Sequence, residues 1–359
     1  MPKILSLYVG LAVFGAIVMA SAGLVGLLAV FTYLEEVGDF QRNYDWLEAF
    51  IYVGLSVPRL FYETIPFAVL IGGLVGLGGL AVKSELIVMR AAGVSTVKIL
   101  GFAAVPALLF AVGGTLVGEF VLPEAEREAR LGRQQARAET ETIAPEFGVW
   151  TRDGEAFLHL AAVREERISG LTWYVFDEQQ KLKLTRSAAA AEYQTSDSEA
   201  PYWRLDEVTE VRFSDAGSGS RYWPTKVWIT PLTPASIGNE LLVQPERMSV
   251  LSLAEKIDRL ESEALNSENF RLGYWSKILQ PLVAIALLVL AASAVFGPLR
   301  ESSVGMRVFS GLVIGVLFKF LQDLLAPMAL VYGISPLLAV LTPIALCFAV
   351  GGWQMRKIG

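Results

Sequence analysis

The sequence predicts an α-helical membrane protein with six transmembrane helices, three before and three after an inserted extracytoplasmic all-β domain. Three observations carry that expectation. The 359-residue chain is 53% hydrophobic and only 18% charged, with a mean hydropathy of +0.48, too apolar for an ordinary globular domain. Its apolar stretches gather at the two ends, while the middle is polar and alternates with a strand-like period of two. Lysines and arginines fall in alternate short loops, which assigns each loop a side of the membrane.

The first span covers residues 4–34, roughly 31 positions without a charge, well beyond the ~20 that cross a hydrocarbon core. Lys3 and the small-residue run Ala20-Ser21-Ala22 have the look of a cleaved leader, but the apolar run continues far past that point. A second span is expected over about 60–82, with Glu63 near one end, and a third over about 99–118; the short polar piece 83–98 joins them. After the polar middle come 278–299, 308 to about 330, and 336 to about 355, with Pro327, Gly333 and Pro336 breaking the last apolar stretch into two helices.

Lys3, the loop with Lys83, Arg90 and Lys98, the loop with Arg300 and Arg307, and the tail with Arg356 and Lys357 share one side, the cytoplasmic one. The opposite short loops carry Glu35, Glu36, Asp39, Asp45 and Glu48, or no charge, so the long insertion after span three faces away from the cytoplasm. Tyr274 and Trp275 sit where an interfacial anchor belongs, at the outer end of span four.

Within about 144–234 the strand-like runs are 156–163, 171–176, 181–186 and 202–213, with a hairpin signal at Asp153-Gly154 and a Gly/Ser/Asp loop over 215–220. Short strands at this spacing predict a sandwich, roll or barrel. Two helices flank it: one from Pro123 to about Glu141, and one opening at Ser252, whose capping box with Glu255 precedes Leu253, Ile257 and Leu260 on one face. The division is thus 1–122, 123–272 and 273–359.

Several functional classes are excluded. A net charge of -6 without a basic stripe gives no footing for nucleic acid. Cys347 is the single cysteine, so neither an intrachain disulfide nor a cysteine metal site can form. His159, the single histidine, reads as an ordinary strand residue, and no HExxH, GxSxG or Cys-His arrangement is present. No catalytic residue, metal or cofactor is therefore assigned. There is no GxxxxGK[ST] either, so any active transport draws its ATP hydrolysis from a partner. The loop Ser84-Glu85-Leu86-Ile87-Val88-Met89-Arg90-Ala91-Ala92-Gly93 holds about two turns of helix, with Ser84 to cap it and Gly93 to stop it. From spacing alone it is either an amphipathic connector on the membrane surface or a device for receiving such a partner.

Gly76-Leu77-Gly78-Gly79-Leu80-Ala81 running into that loop, then Gly118-Glu119-Phe120-Val121-Leu122-Pro123, Trp275-Ser276-Lys277-Ile278-Leu279-Gln280-Pro281-Leu282, Phe296-Gly297-Pro298-Leu299-Arg300 and Leu330-Val331-Tyr332-Gly333-Ile334 appear in this order along the chain. Together they resemble the permease family of the lipopolysaccharide export ABC transporter, LptF/LptG, and its G-type branch more than its F-type branch. The resemblance implies a Gram-negative inner-membrane subunit, multi-pass, with both termini cytoplasmic and a periplasmic β-jellyroll-like domain. It implies a partnership with the F-type paralogue (LptF), two copies of a cytoplasmic ATPase (LptB) and a single-span jellyroll protein (LptC). It further implies removal of lipopolysaccharide from the outer leaflet and delivery to a periplasmic bridge. A permease for another lipid or peptide, or a non-transporting envelope scaffold, are the rival classes.

Carried onto this chain, the resemblance ties Arg59, Arg130 and Arg133 to the lipid headgroup, and Glu85, Leu86, Met89 and Arg90 to coupling with the ATPase. Arg130 and Arg133 lie three apart and share a helical face, but Glu126 and Arg130 also form an i,i+4 pair that a solvated helix would use. Near the end of span one some relatives carry lysines, where this chain has Phe31, Val37 and Gly38. Lys319 lies twelve residues from Arg307, about 18 Å up its helix, and either faces lipid or pairs with Asp323 one turn on.

Overall fold

The computed structural model describes residues 2–38, 45–137, 149–153, 156–164, 167–177, 181–194, 201–214, 217–230, 233–234, 245–262, 266–297 and 302–358. They fall into two compact units, Met1–Ala136 with Gln244–Gly359, and Arg137–Val243.

The first unit is helical. Its elements are α1 (Pro2–Val37), α2 (Trp46–Val82), α3 (Glu85–Ala91), α4 (Thr96–Phe120), α5 (Leu122–Arg137), a 3-10 turn (Pro245–Arg247), α6 (Val250–Ser262), α7 (Glu268–Ile278), α8 (Gln280–Phe296), α9 (Val304–Tyr332) and α10 (Pro336–Ile358). α1, α2, α4, α9 and α10 are each long and apolar enough to cross a membrane; α7 and α8, bent by 55°, pass the same test as a pair and, counted as one bent span, make six, this span being the fourth in chain order. The bend at Leu279 follows from Pro281, whose missing N–H and ring disfavour a continuous helix through the preceding turn.

α2 is the central helix. Its most apolar window is 72% buried against 17% for α1, because α1, α4, α8 and α9 all pack on it. Gly72 and Gly76, one turn apart, let α1 approach backbone to backbone: an added Cβ would lie 2.5 Å from Ile17 Cα and 2.8 Å from Val13 Cα, respectively. Pro66 lies inside the helix and cannot donate to the Tyr62 carbonyl. Gln280 of α8 supplies the missing donor, its Nε2 reaching Tyr62 O at 2.7 Å in a buried contact.

Several boundaries move from their expected places. α2 begins at Trp46, not near Leu60, with the Asp45 carboxylate accepting from Leu47 N at 2.8 Å as its N-cap. At 37 residues it is about 55 Å long, so a long stretch projects past a ~30 Å core. Pro327 does not break α9, which runs on to Tyr332 and ends at Gly333, φ +66. α6 starts at Val250, and its cap is Ser249, whose Oγ accepts from Ser252 N at 3.0 Å; Ser252 lies inside the helix. Ser84 makes no side-chain cap on α3, whereas Gly93, φ +84, does end it. α5 and α6, expected to flank the β-domain, group with the helical unit. Asp39, Glu141, Ala144, Gly154, Asp215, Leu299 and Arg300 lie outside the described residues.

The second unit is one antiparallel sheet in sequential order: β1 (Val149–Asp153), β2 (Ala156–Arg164), β3 (Arg167–Phe176), β4 (Leu182–Gln194), β5 (Tyr202–Ser214) and β6 (Gly217–Trp228). Residues 217–220, expected in a loop, open β6 and pair with β5 from Ser214↔Gly217 onward. Glycine and serine signal loops locally, but ladder pairing with a formed neighbour overrides that preference. Leu158, Leu160, Ile168, Leu171, Trp173, Ala191, Trp203, Leu205 and Val208 form its core.

The inward-facing phase switches along the strands, from Ile168 to Leu171, from Ala188 to Ala191 and from Leu205 to Val208. The residues where it switches, Gly170 (φ +66), Ala189 and Glu207 (φ +54), lie in one row of the ladder, and Pro224, which cannot donate to a ladder, continues it on β6. The row is a crease across the sheet. Trp173 of β3 and Trp228 of β6 meet with ring centroids 5.1 Å apart, although β3 and β6 would be ~14 Å apart in a flat sheet. The sheet is therefore curled onto itself, and His159, half-buried in β2, is a strand residue of this curl.

Candidate functional site

α5 starts one residue after α4 ends. Its buried face is Leu122, Glu126 and Ala129, spaced i, i+4, i+7 and 2%, 3% and 2% exposed. Glu126 thus occupies a core position, and a lone carboxylate there requires cations. Three arrive from three elements: Arg59 of α2, its Nε 3.4 Å from Glu126 Oε2; Arg130 of α5, its Nη2 3.6 Å from Oε1; and Arg247 of the 3-10 turn, its Nη1 bonded to Oε1. Arg59 also lies 3.6 Å from Glu63. One turn beyond Arg130, Arg133 pairs with Glu36 of α1 at 3.0 Å and lies over the Tyr52 ring at 5.2 Å.

The structure therefore brings Arg59, Arg130 and Arg133 together and adds Arg247. The Glu126–Arg130 pair exists, but not on a solvated face: the Glu126 side chain is 4% exposed. Among the described residues, four guanidiniums face the carboxylates of Glu126, Glu36 and Glu63. The buried carboxylates lie behind, and the arginine side chains, 18–31% exposed, lie in front. Such a surface suits a phosphate, which takes forked N–H donors. Burial, and after it the nearby charge of Arg247, lowers the pKa of the Arg130 guanidinium, while Glu126 opposes both.

The 3-10 turn is held independently of the arginines. The Glu119 carboxylate, at the end of α4, accepts from Val250 N at 2.6 Å and Leu251 N at 3.3 Å, an anion at the start of α6. Lys277 of α7 donates to Met248 O and lies 5.3 Å over the Tyr62 ring. Sequence reasoning missed Arg247 because nothing local marks it; it meets Glu126 across 121 positions.

Lys319 is apart from this cluster. It pairs with Asp323 at 2.7 Å on α9, both side chains more than half exposed.

On α3, Leu86 and Met89 are 3% and 7% exposed and belong to the helical core, holding α3 onto the bundle. The outward face consists of Ile87, Val88 and Arg90, with Glu85 at the first turn. Glu85 Oε2 accepts from Tyr8 Oη of α1 at 2.8 Å. A cleft of about 310 Å³ beside α3 is lined by Leu86, Ile87, Arg90, Val295 and Phe296. A larger apolar cavity of about 630 Å³ lies among α8, α9 and α10, with Phe309, Leu317 and Val350 in its wall.

Comparison with known proteins gives a coherent result. The chain is 33% identical over 361 residues to the lipopolysaccharide export system permease protein LptG of Escherichia coli K12, covering 99% of this chain and 98% of that protein. It is 31% identical over 356 residues to the LptG of Haemophilus influenzae, covering 98% and 97%. The family model for the lipopolysaccharide export system permease LptF/LptG matches residues 7–357, a span that includes both helical halves, the curled sheet and the arginine cluster, and the chain belongs to this family.

Proposed function

We propose that this chain is the G-type permease subunit of an ATP-driven exporter that takes lipopolysaccharide from the outer leaflet of the inner membrane. Its β-unit is periplasmic and its termini cytoplasmic. It works beside an F-type paralogue (LptF), two copies of a cytoplasmic ATPase (LptB) and a single-span jellyroll protein (LptC), and the ATPase supplies the hydrolysis this chain has no P-loop for. The observation that carries the reading is the convergence of Arg59, Arg130 and Arg133, two of them on one buried carboxylate, in a chain that matches the family end to end. The arginines bind the phosphorylated headgroup, and α3 receives the stroke of the ATPase through Glu85 and its outward face. Lys319, paired with Asp323, is a secondary contact in the outer half of the membrane core.

The test is site-specific photocrosslinking to lipopolysaccharide in the assembled complex carrying Arg130→Glu and Arg133→Glu. Crosslinking falls while the subunits still co-purify; unchanged crosslinking and growth would assign both residues to α5 packing alone. Lipid mass spectrometry of the purified complex identifies the cargo, and another lipid class there would replace lipopolysaccharide in this reading.

A further inference from the structure

Arg247 is the member of the arginine cluster that the headgroup reading leaves out. It is the one member contributed by the return segment after the β-unit, and its side chain is 26% exposed, in the same range as Arg59 at 18% and Arg130 at 20%. Among the described residues its only side-chain bond is from Nη1 to Glu126 Oε1, so Nε and Nη2 have no protein acceptor there. The residues that follow its turn are already fixed by Glu119 on Val250 and Leu251 and by Lys277 on Met248.

The crowding of guanidiniums favours a ligand. Arg59, Arg130 and Arg247 converge on Glu126, with exposed Glu63 as a second, weaker partner of Arg59. Like charges this close in a partly desolvated site repel, and the lowered pKa of Arg130 has Arg247 among its causes. An external dianion relieves that repulsion, and a phosphate monoester carries about -1.5 to -2 at neutral pH. Glu126 gathers all three guanidiniums through its two oxygens, Arg59 on Oε2 and Arg130 and Arg247 on Oε1.

We propose that Arg247 is a headgroup-contacting residue that gives the site its preference for a phosphorylated over a dephosphorylated sugar headgroup. The inference rests on the headgroup reading of Arg59, Arg130 and Arg133. It extends that site onto the return segment, so that bound phosphate bridges α2, α5 and the entry to α6.

The experiment uses the full complex with its partner subunits, a photocrosslinking probe at exposed position 63, and bisphosphorylated against monophosphorylated lipopolysaccharide. Arg247→Gln is made alone and in a Glu126→Gln background. A ligand-contacting Arg247 predicts a loss of roughly tenfold in crosslinking of the bisphosphorylated lipid, the scale of one charged hydrogen bond, in both backgrounds, with the preference between the lipids collapsing. Arg247→Lys recovers part of the yield but not the preference, because an ammonium lacks the fork. If Arg247→Gln has no effect once Glu126 is neutral, Arg247 serves only as a tie to α5 and the inference is overturned. If Arg130→Gln and Arg133→Gln also leave crosslinking unchanged, the headgroup reading itself fails; loss there without loss at Arg247 overturns this inference alone.

Discussion

Gln280→Met removes the donor that reaches the Tyr62 carbonyl while nearly preserving side-chain volume. That carbonyl is buried and, because position 66 is proline, it has no helical N–H to fall back on. Orphaning a buried carbonyl costs about 1–3 kcal/mol, so a value near 2 kcal/mol corresponds to roughly a thirtyfold shift in the unfolding equilibrium. The structure also specifies the remedy. Pro66→Ala restores an N–H one turn beyond Tyr62, which closes the i to i−4 bond within α2 and makes Gln280 dispensable. Unfolding of the detergent-solubilised protein should therefore show a double-mutant coupling of about 1–3 kcal/mol, with Gln280→Met costly in the native background and nearly neutral in the Pro66→Ala background. Equal cost in both backgrounds would refute the argument, since the missing proline N–H would then have nothing to do with Gln280.

Three further outcomes follow from the geometry. Gly72→Ala puts a Cβ 2.5 Å from the Ile17 backbone and should destabilise the bundle by about 2 kcal/mol, overpacking less the propensity gain, whereas Gly79→Ala, with nothing within 4 Å, should be neutral or stabilising; indistinguishable melting of the two variants would discount the α1–α2 close approach. Glu207→Gly should raise thermal stability by up to about 1 kcal/mol, because a left-handed φ of +54 strains any residue with a Cβ; a drop would mean the Glu207 side chain contributes more than the strain costs. Burial alone would raise the pKa of Glu210, but hydrogen bonds from Arg186 and Arg212 and the charges of Arg186 and Lys226 hold it below the usual carboxylate range. A depressed folded pKa contributes stability that is complete above the unfolded value of about 4.3 and lost as pH falls through the folded one. The gap in melting temperature between native protein and Glu210→Gln should accordingly be flat at neutral pH and close under acid; a pH-independent gap would contradict it.

Composition and hydropathy by themselves determined the architecture of three spans, a β-insertion and three spans, because crossing a hydrocarbon core demands long apolar runs and a half-buried strand demands alternation. The family resemblance pointed to Arg59, Arg130 and Arg133, while the α3 segment was marked locally as a helix-length loop between two spans. What they could not reveal depends on atoms far apart in the chain. The bent fourth crossing is prefigured by Pro281, yet only packing made α7 part of it. Leu86 and Met89, tied to the ATPase by the resemblance, are buried in the helical core, because a short amphipathic helix has one apolar side and the bundle takes it. The crease through Gly170, Ala189, Glu207 and Pro224 exists only once four strands are in register. Glu126 became the centre of the site for the same reason: burial beneath α5 turned an ordinary i,i+4 partner into a buried charge that three arginines from three elements must neutralise.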